Sequence, residues 1–151
     1  MGSISETEAT DRFQIQELLK AYAHCADRRN VKDQMSLFTN DAHLIVFMDA
    51  KSDKPSIEVN RREDLAPIFE DLNKYEVTTH FMGQSTIVIH GERATGETYC
   101  IAYHVSLFEG KRSLFIASIR YYDVFRKVEG KWLFAERKPI VDWTDTRPIN
   151  V

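Results

Sequence analysis

The spacing of apolar and polar positions divides the chain into a helical first half and an extended second half. Phe13, Ile15, Leu18, Leu19, Tyr22, Ala23 and Ala26 recur at helical spacing. Ile15, Leu18, Leu19, Tyr22 and Ala26 fall at i, i+3, i+4, i+7 and i+11, a single stripe facing a core. Ser5-x-x-Glu8 ahead of them has the form of a capping box, which satisfies free N–H groups at a helix start. The pattern predicts a first helix ending near Arg29-Asn30. Asn30 then caps a short second helix with Val31, Met35 and Phe38 facing inward, and Thr39-Asn40-Asp41 reads as a turn. His43 to Met48 reads as a buried strand and Asp49 to Ser56 as a loop. Leu65, Ile68, Phe69 and Leu72 mark a third helix, with Pro67 in its first turn and Asp64 as its N-cap. From Val77 the period changes to that of strands, in four runs at about 78–90, 94–109, 112–127 and 131–142. Gly-containing links at His90-Gly91-Glu92-Arg93, Glu109-Gly110-Lys111 and Glu129-Gly130-Lys131 read as hairpin turns. Helices followed by an antiparallel meander predict an α+β domain, its helices packed on one face of a curved sheet.

Composition narrows the class without changing that picture. The 151 residues fit one domain, 43% hydrophobic and 28% charged, with no repeat, linker or low-complexity tract. Nine Phe, six Tyr and two Trp can fill a core or line a pocket for a flat apolar ligand. A net charge of −3 and a pI near 6.0 argue against a nucleic-acid partner, and the densest basic run, Arg61-Arg62, is followed at once by Glu63-Asp64. No run approaches 18 apolar residues, so no membrane span is expected. The polar, acidic start is unlike a secretory signal, and Glu6 breaks the myristoylation pattern that Met1-Gly2 would open. Cys25 and Cys100 lack metal-type spacing and read as reduced core thiols of a cytoplasmic protein.

Candidate chemistry lies where residues break their own pattern. Asp27 sits one position past the end of the first apolar stripe, on its flank, as an exposed helix-terminal carboxylate or as a site residue. His80 stands near the start of a strand. Histidine titrates near neutral pH unaided and is the default general base, while a lone strand histidine also serves as a hydrogen-bonded core or edge residue. His24, His43 and His90 take the structural reading. His104 shares its strand phase with the small residues Cys100 and Ala102, which can line a cavity. Arg137 falls within Leu133, Ala135, Pro139 and Val141, so its guanidinium must be paired or serve a ligand. Tyr22, central in the first stripe, fills the core or donates its hydroxyl to a substrate oxygen. There is no Gly-x-Ser-x-Gly, no phosphate-cradling loop and no His-Glu-x-x-His, and Asp41-x-His43 makes no metal cluster.

Several stretches, in order and spacing, resemble the SnoaL-like branch of the nuclear-transport-factor-2-like superfamily over about residues 8–143. They are Ile15-Gln16-Glu17-Leu18-Leu19-Lys20-Ala21-Tyr22, Cys25-Ala26-Asp27, Thr79-His80, Arg120-Tyr121-Tyr122-Asp123-Val124-Phe125, and Gly130-Lys131-Trp132-Leu133-Phe134 through Arg137 to Asp142-Trp143. The resemblance implies a cone-shaped α+β barrel. Its site pattern is similar to those of scytalone dehydratase, bile acid 7α-dehydratase and hexachlorocyclohexane dehydrochlorinase, lyases that work without a cofactor. It places an aspartate–histidine dyad on Asp27 and His80, an active-site tyrosine on Tyr22 and a pocket arginine on Arg137. The dehydrochlorinase has lysine at the tyrosine's place, which makes a halogenated substrate less favoured. A second pocket histidine falls on His104, with Tyr103 as the competitor if the alignment slips by one, and Phe47 and Met82 are further candidates for the apolar lining.

The implied reaction removes a proton next to a carbonyl. Asp27 would accept the His80 Nδ1–H, leaving Nε2 as base, while Tyr22 and Arg137, with His104, would bind the developing oxyanion. A positioned base supplies about 3–5 kcal/mol, too little without that second element. Loss of water would make the protein a dehydratase, and return of the proton an isomerase or cyclase, acting on a small, apolar, oxygenated cyclic ketone, polyketide or steroid with no metal or organic cofactor. The alternative is a non-catalytic ligand-binding or assembly module of the same fold. The resemblance further implies a homodimer or homotrimer formed through the sheet.

Overall fold

The computed structural model describes residues 2–150. Helix α1 (Glu6–Asp27) begins where Ser5 Oγ accepts the Glu8 N–H at 3.1 Å. Only this half of the predicted capping box forms, because Glu8 turns its carboxylate to Arg12 instead. Ile15, Leu18, Leu19, Tyr22 and Ala26 are buried as the stripe requires, whereas Phe13 lies outside it and is exposed. Asn30 caps α2 (Val31–Ser36) by accepting the Asp33 N–H, and Val31 and Met35 pack against the core.

The first departure follows. Phe38 does not close α2, and Thr39-Asn40-Asp41 is not a turn: all belong to strand β1 (Phe38–Val46). The reason is long-range, since Phe38 pairs in parallel with Phe134 and the Phe134 N–H donates to the Leu37 carbonyl. Turn-forming residues are drawn into the sheet by buried neighbours on both sides. A short strand β2 (Ile57–Val59) pairs with β1 at the end of the predicted loop. Helix α3 (Ala66–Glu70) holds Pro67 in its first turn, but Asp64 does not cap it, because its carboxylate is taken by Arg61.

Strands β3 (Val77–His90), β4 (Arg93–Phe108), β5 (Lys111–Val128) and β6 (Lys131–Pro148) form the antiparallel meander. Glu109-Gly110 and Glu129-Gly130 link them with both central residues at positive φ, as type I′ hairpins demand. The sheet runs β2-β1-β6-β5-β4-β3, mixed because β1 lies parallel to β6, curved but not closed. Helix α1 crosses its inner face against β3 and β6. In β3 the register shifts between Met82 and Ser85, so the inward set passes from Thr78, His80 and Met82 to Ser85, Ile87 and Ile89. No helix is long and apolar enough to cross a membrane among the described residues.

Candidate functional site

The C-terminal end of α1 meets the start of β3, and there the structure brings Asp27 and His80 together. Asp27 Oδ1 lies 2.7 Å from His80 Nδ1, and Oδ2 accepts the His80 backbone N–H at 2.9 Å. A carboxylate can only accept, so Nδ1 carries a proton, and in the neutral ring Nε2 is the lone-pair acceptor. Thr78, two residues earlier on the same face, donates its hydroxyl to Oδ1 at 3.0 Å. Burial pushes the Asp27 carboxyl up, but the bonds and charge from His80 and the Thr78 hydroxyl outweigh it and hold Asp27 below its ordinary value. The imidazole keeps 8% of its side-chain surface open and the carboxylate 25%, so the pair is sheltered without being sealed.

The next position on this face is His104 of β4, its ring centre 5.9 Å from that of His80 and nearly perpendicular to it. Tyr75 and Phe115 flank His104 at 4.7 and 5.3 Å. Its Nδ1 sits 3.2 Å from the Phe115 carbonyl, which fixes the proton there and leaves Nε2 as an acceptor. Burial lowers the His104 pKa, and the nearby His80 and Arg29 charges push the same way. Beside His80 in the sheet run Ala102 and Ala117, two short side chains. Met82 lies on the inner side and packs against the core. Tyr103 is one residue out of phase, on the outer face and 38% exposed, so it does not join this group. Phe47 continues the parallel pairing beyond β1 through a bridge to Ile140, half-buried and outside the packed cluster that contains Val46.

Tyr22 and Arg137 form a second, deeper group. The Arg137 guanidinium lies 3.6 Å from the Tyr121 ring centre, 4.1 Å from Tyr22 and 4.5 Å from Phe134, wholly shut from solvent. Its Nε is 3.2 Å from Asp123 Oδ1, yet neither residue's side-chain polar atoms make a hydrogen bond with the described residues. Burial raises the Asp123 carboxyl to about 7 against the pull of Arg137. Burial likewise raises the Tyr22 hydroxyl, with Arg137 opposing. Cys100 joins the two groups: buried on the inner face, its thiol feels both the Arg137 and the Asp27 charge, and burial pushes it up to about 11.

Reading residues one by one missed Thr78, Arg29 and Asp123. Thr78 and Arg29 had no signal of their own, because their bonds join positions far apart in the chain. Asp123 had one: it stands in phase with Tyr121 and Phe125, a lone carboxylate on an apolar strand face. No three His, Cys, Asp or Glu side chains converge as metal ligands among the described residues.

Comparison with known proteins agrees with this architecture. Residues 7–138 match the SnoaL-like domain. The uncharacterized protein Rv2910c of Mycobacterium tuberculosis is 24% identical over 135 residues, covering 89% of this chain and 87% of its own. A provisional scytalone dehydratase from Novosphingobium aromaticivorans superposes with a TM-score of 0.82 at 18% identity, over 98% of this chain and 95% of that one. The hexachlorocyclohexane dehydrochlorinase LinA type 2 gives 0.72 at 16% identity, over 94% and 90%. At these identities the structural likenesses establish a shared fold.

Proposed function

The chain belongs to the SnoaL-like domain family, and from that premise we propose that it is a cofactor-independent lyase of the dehydratase kind, or an isomerase. Its reaction removes a proton next to a carbonyl of a small apolar cyclic, polyketide or steroid-like substrate. The observation that carries this reading is the 2.7 Å contact of Asp27 with His80 Nδ1, which leaves Nε2 as the base. Two proteins of the same fold bear elimination reactions in their names, a dehydratase and a dehydrochlorinase.

His80 Nε2 takes the proton from the α-carbon, the C–H electron pair passes toward the carbonyl, and Asp27 stabilises the imidazolium that forms. In dehydration the imidazolium returns its proton to the leaving hydroxyl as the C–O bond breaks, releasing water and an α,β-unsaturated ketone. In isomerisation the proton returns to another carbon. His104, held with Nε2 as an acceptor, orients a substrate hydroxyl beside His80. Tyr22 and Arg137 take a different part from direct oxyanion binding. Enclosed by aromatic rings, the guanidinium is a fixed positive charge below the site that favours negative charge developing above it.

The test is proton exchange in deuterated water with a panel of cyclic β-hydroxy ketones and steroid ketones, with enone absorbance reporting water loss. His80→Ala is expected to abolish exchange and elimination with its circular dichroism unchanged, and Asp27→Asn to lower the rate by about 10²-fold or more with little change in binding. Undiminished turnover in His80→Ala would remove the dyad. A second reading, a non-catalytic binding or assembly module, draws on the closed packing around Arg137. It predicts binding of such ketones without exchange.

A further inference from the structure

Arg29 stands two residues beyond the end of α1 at φ 57°, a left-handed conformation that turns its side chain back over the helix terminus. Its Nη1 donates to the Ala26 carbonyl at 2.8 Å and to the Thr78 hydroxyl at 2.7 Å. A guanidinium has no acceptor, so the Thr78 proton cannot point back at Arg29. Asp27 Oδ1, at 3.0 Å, is the acceptor that receives it. A one-way chain results: Arg29 to Thr78, Thr78 to Asp27, and Asp27 accepting from the His80 ring at 2.7 Å. Asp27 thus holds three donors, the Thr78 hydroxyl and the His80 ring on Oδ1 and the His80 backbone N–H on Oδ2. Each donor to a carboxylate stabilises its ionised form and lowers its basicity toward the other donors.

We propose that Arg29 and Thr78 are positioning residues for the Asp27–His80 pair: Arg29 fixes the direction of the Thr78 hydroxyl proton, and Thr78 draws on the Asp27 oxygen that faces the ring, so that Asp27 orients His80 without holding it protonated. The inference rests on the reading of this pair as the acid–base site. A bare carboxylate beside an imidazole stabilises the charged ring and would spoil the free base. The charged or titratable groups around the His80 ring are Asp27 and Arg29 from the end of α1 and His104 and Cys100 from β4, with Tyr75 behind His104. Arg29 is the permanent cation of that set.

The test is an NMR titration of the His80 ring in the full chain, followed through its carbon-bound protons and ring nitrogens and needing no substrate. Thr78→Val keeps the side-chain volume and leaves the Arg29 bond to Ala26 available. It is expected to raise the His80 midpoint by roughly half a unit or more, and Thr78→Ser to restore it. Arg29→Gln, which keeps a donor but loses the charge, is expected to shift the midpoint the same way and carries the test if Thr78→Val fails to fold. If Arg29 does no more than cap α1, Arg29→Gln will lower the melting temperature and leave the midpoint where it was, which overturns the part given to Arg29. An unchanged or lowered midpoint in folded Thr78→Val, or in Arg29→Gln where Thr78→Val does not fold, overturns the proposal. That result leaves the catalytic reading standing on the His80→Ala experiment, and the converse failure leaves the titration result intact.

Discussion

Asp123 carries its proton to about pH 7 because complete burial costs its charged form more than Arg137 returns, with Glu136 adding to the rise. A carboxyl raised in the folded state, set against an ordinary 3.8, makes folding bind a proton across that interval. Stability from this group is therefore greatest below about pH 4 and falls as pH rises toward 7. Asp27 works in the opposite sense: held below its ordinary value, it contributes above about pH 4 and loses that contribution as pH falls through the lowered value. Asp123→Asn replaces a carboxyl that is neutral in the folded protein below about pH 7 with a neutral group of the same shape, so it is expected to match the wild type below about pH 4. The wild type should lose ground to it steadily between pH 4 and 7 in denaturant titrations, and parallel stability curves would refute the assignment. Asp123 was open to view as a polar residue in an apolar phase, as Arg137 was. Arg29 and Thr78 were not, because a hydrogen bond across 49 positions leaves no local mark. Asp27 alone read better as an exposed helix end, and the resemblance of Cys25-Ala26-Asp27 with Thr79-His80 lifted it out of that reading.

At the scale of elements, α1 must be held at both ends for Asp27 to reach β3. Its C-terminal end is tied through Asp27 and Arg29 to Thr78 and His80. Its N-terminal part is tied by Asp11, which accepts the Trp132 indole N–H at 2.8 Å and the Lys127 ammonium at 2.9 Å across the β5–β6 hairpin. Asp11→Ala strands the buried indole donor and is expected to cost about 1–3 kcal/mol. Because α1 would tilt with its anchor, exchange protection at the His80 amide should fall with it. A stability loss under half a kcal/mol with that protection unchanged would make the tie incidental. Elements with a strong local period, α1 and strands β3, β4 and β5, could be read nearly to their ends, whereas β6 runs past the expected 142 to Pro148 because Thr144 to Pro148 pair with Ala117 to Ser113 of β5. The pieces that could not were those governed from a distance: β1, whose Thr39-Asn40-Asp41 enters the sheet through β6, and α3, where Arg61 takes the carboxylate expected to cap it.

Across the whole molecule, the order of helices then strands was enough to predict one α+β layer on another, but strand alternation gives two faces and does not say what covers the second. Helix α1 covers the inner one. The outer face leaves Phe81 and Trp143 at 69% and 53% exposure at the ends of one row, Phe81–Ile101–Ser118–Trp143, with Tyr103 and Tyr122 exposed nearby. Large apolar side chains left exposed together on one sheet face make a candidate association surface. Its charges are already balanced within the face, Arg120 bonding both Glu97 and Asp142, so a second copy turned by a two-fold axis meets no net repulsion and can bury the same rows against its own. We therefore predict a homo-oligomer paired through this face. Light scattering on the eluting protein should give a multiple of the 17.6 kDa chain mass. Phe81→Asp combined with Trp143→Asp should reduce it to one chain with the far-ultraviolet dichroism preserved, since neither side chain serves the buried core. A wild-type monomer would dismiss the interface altogether. An oligomer that survives the double substitution would move it to another surface.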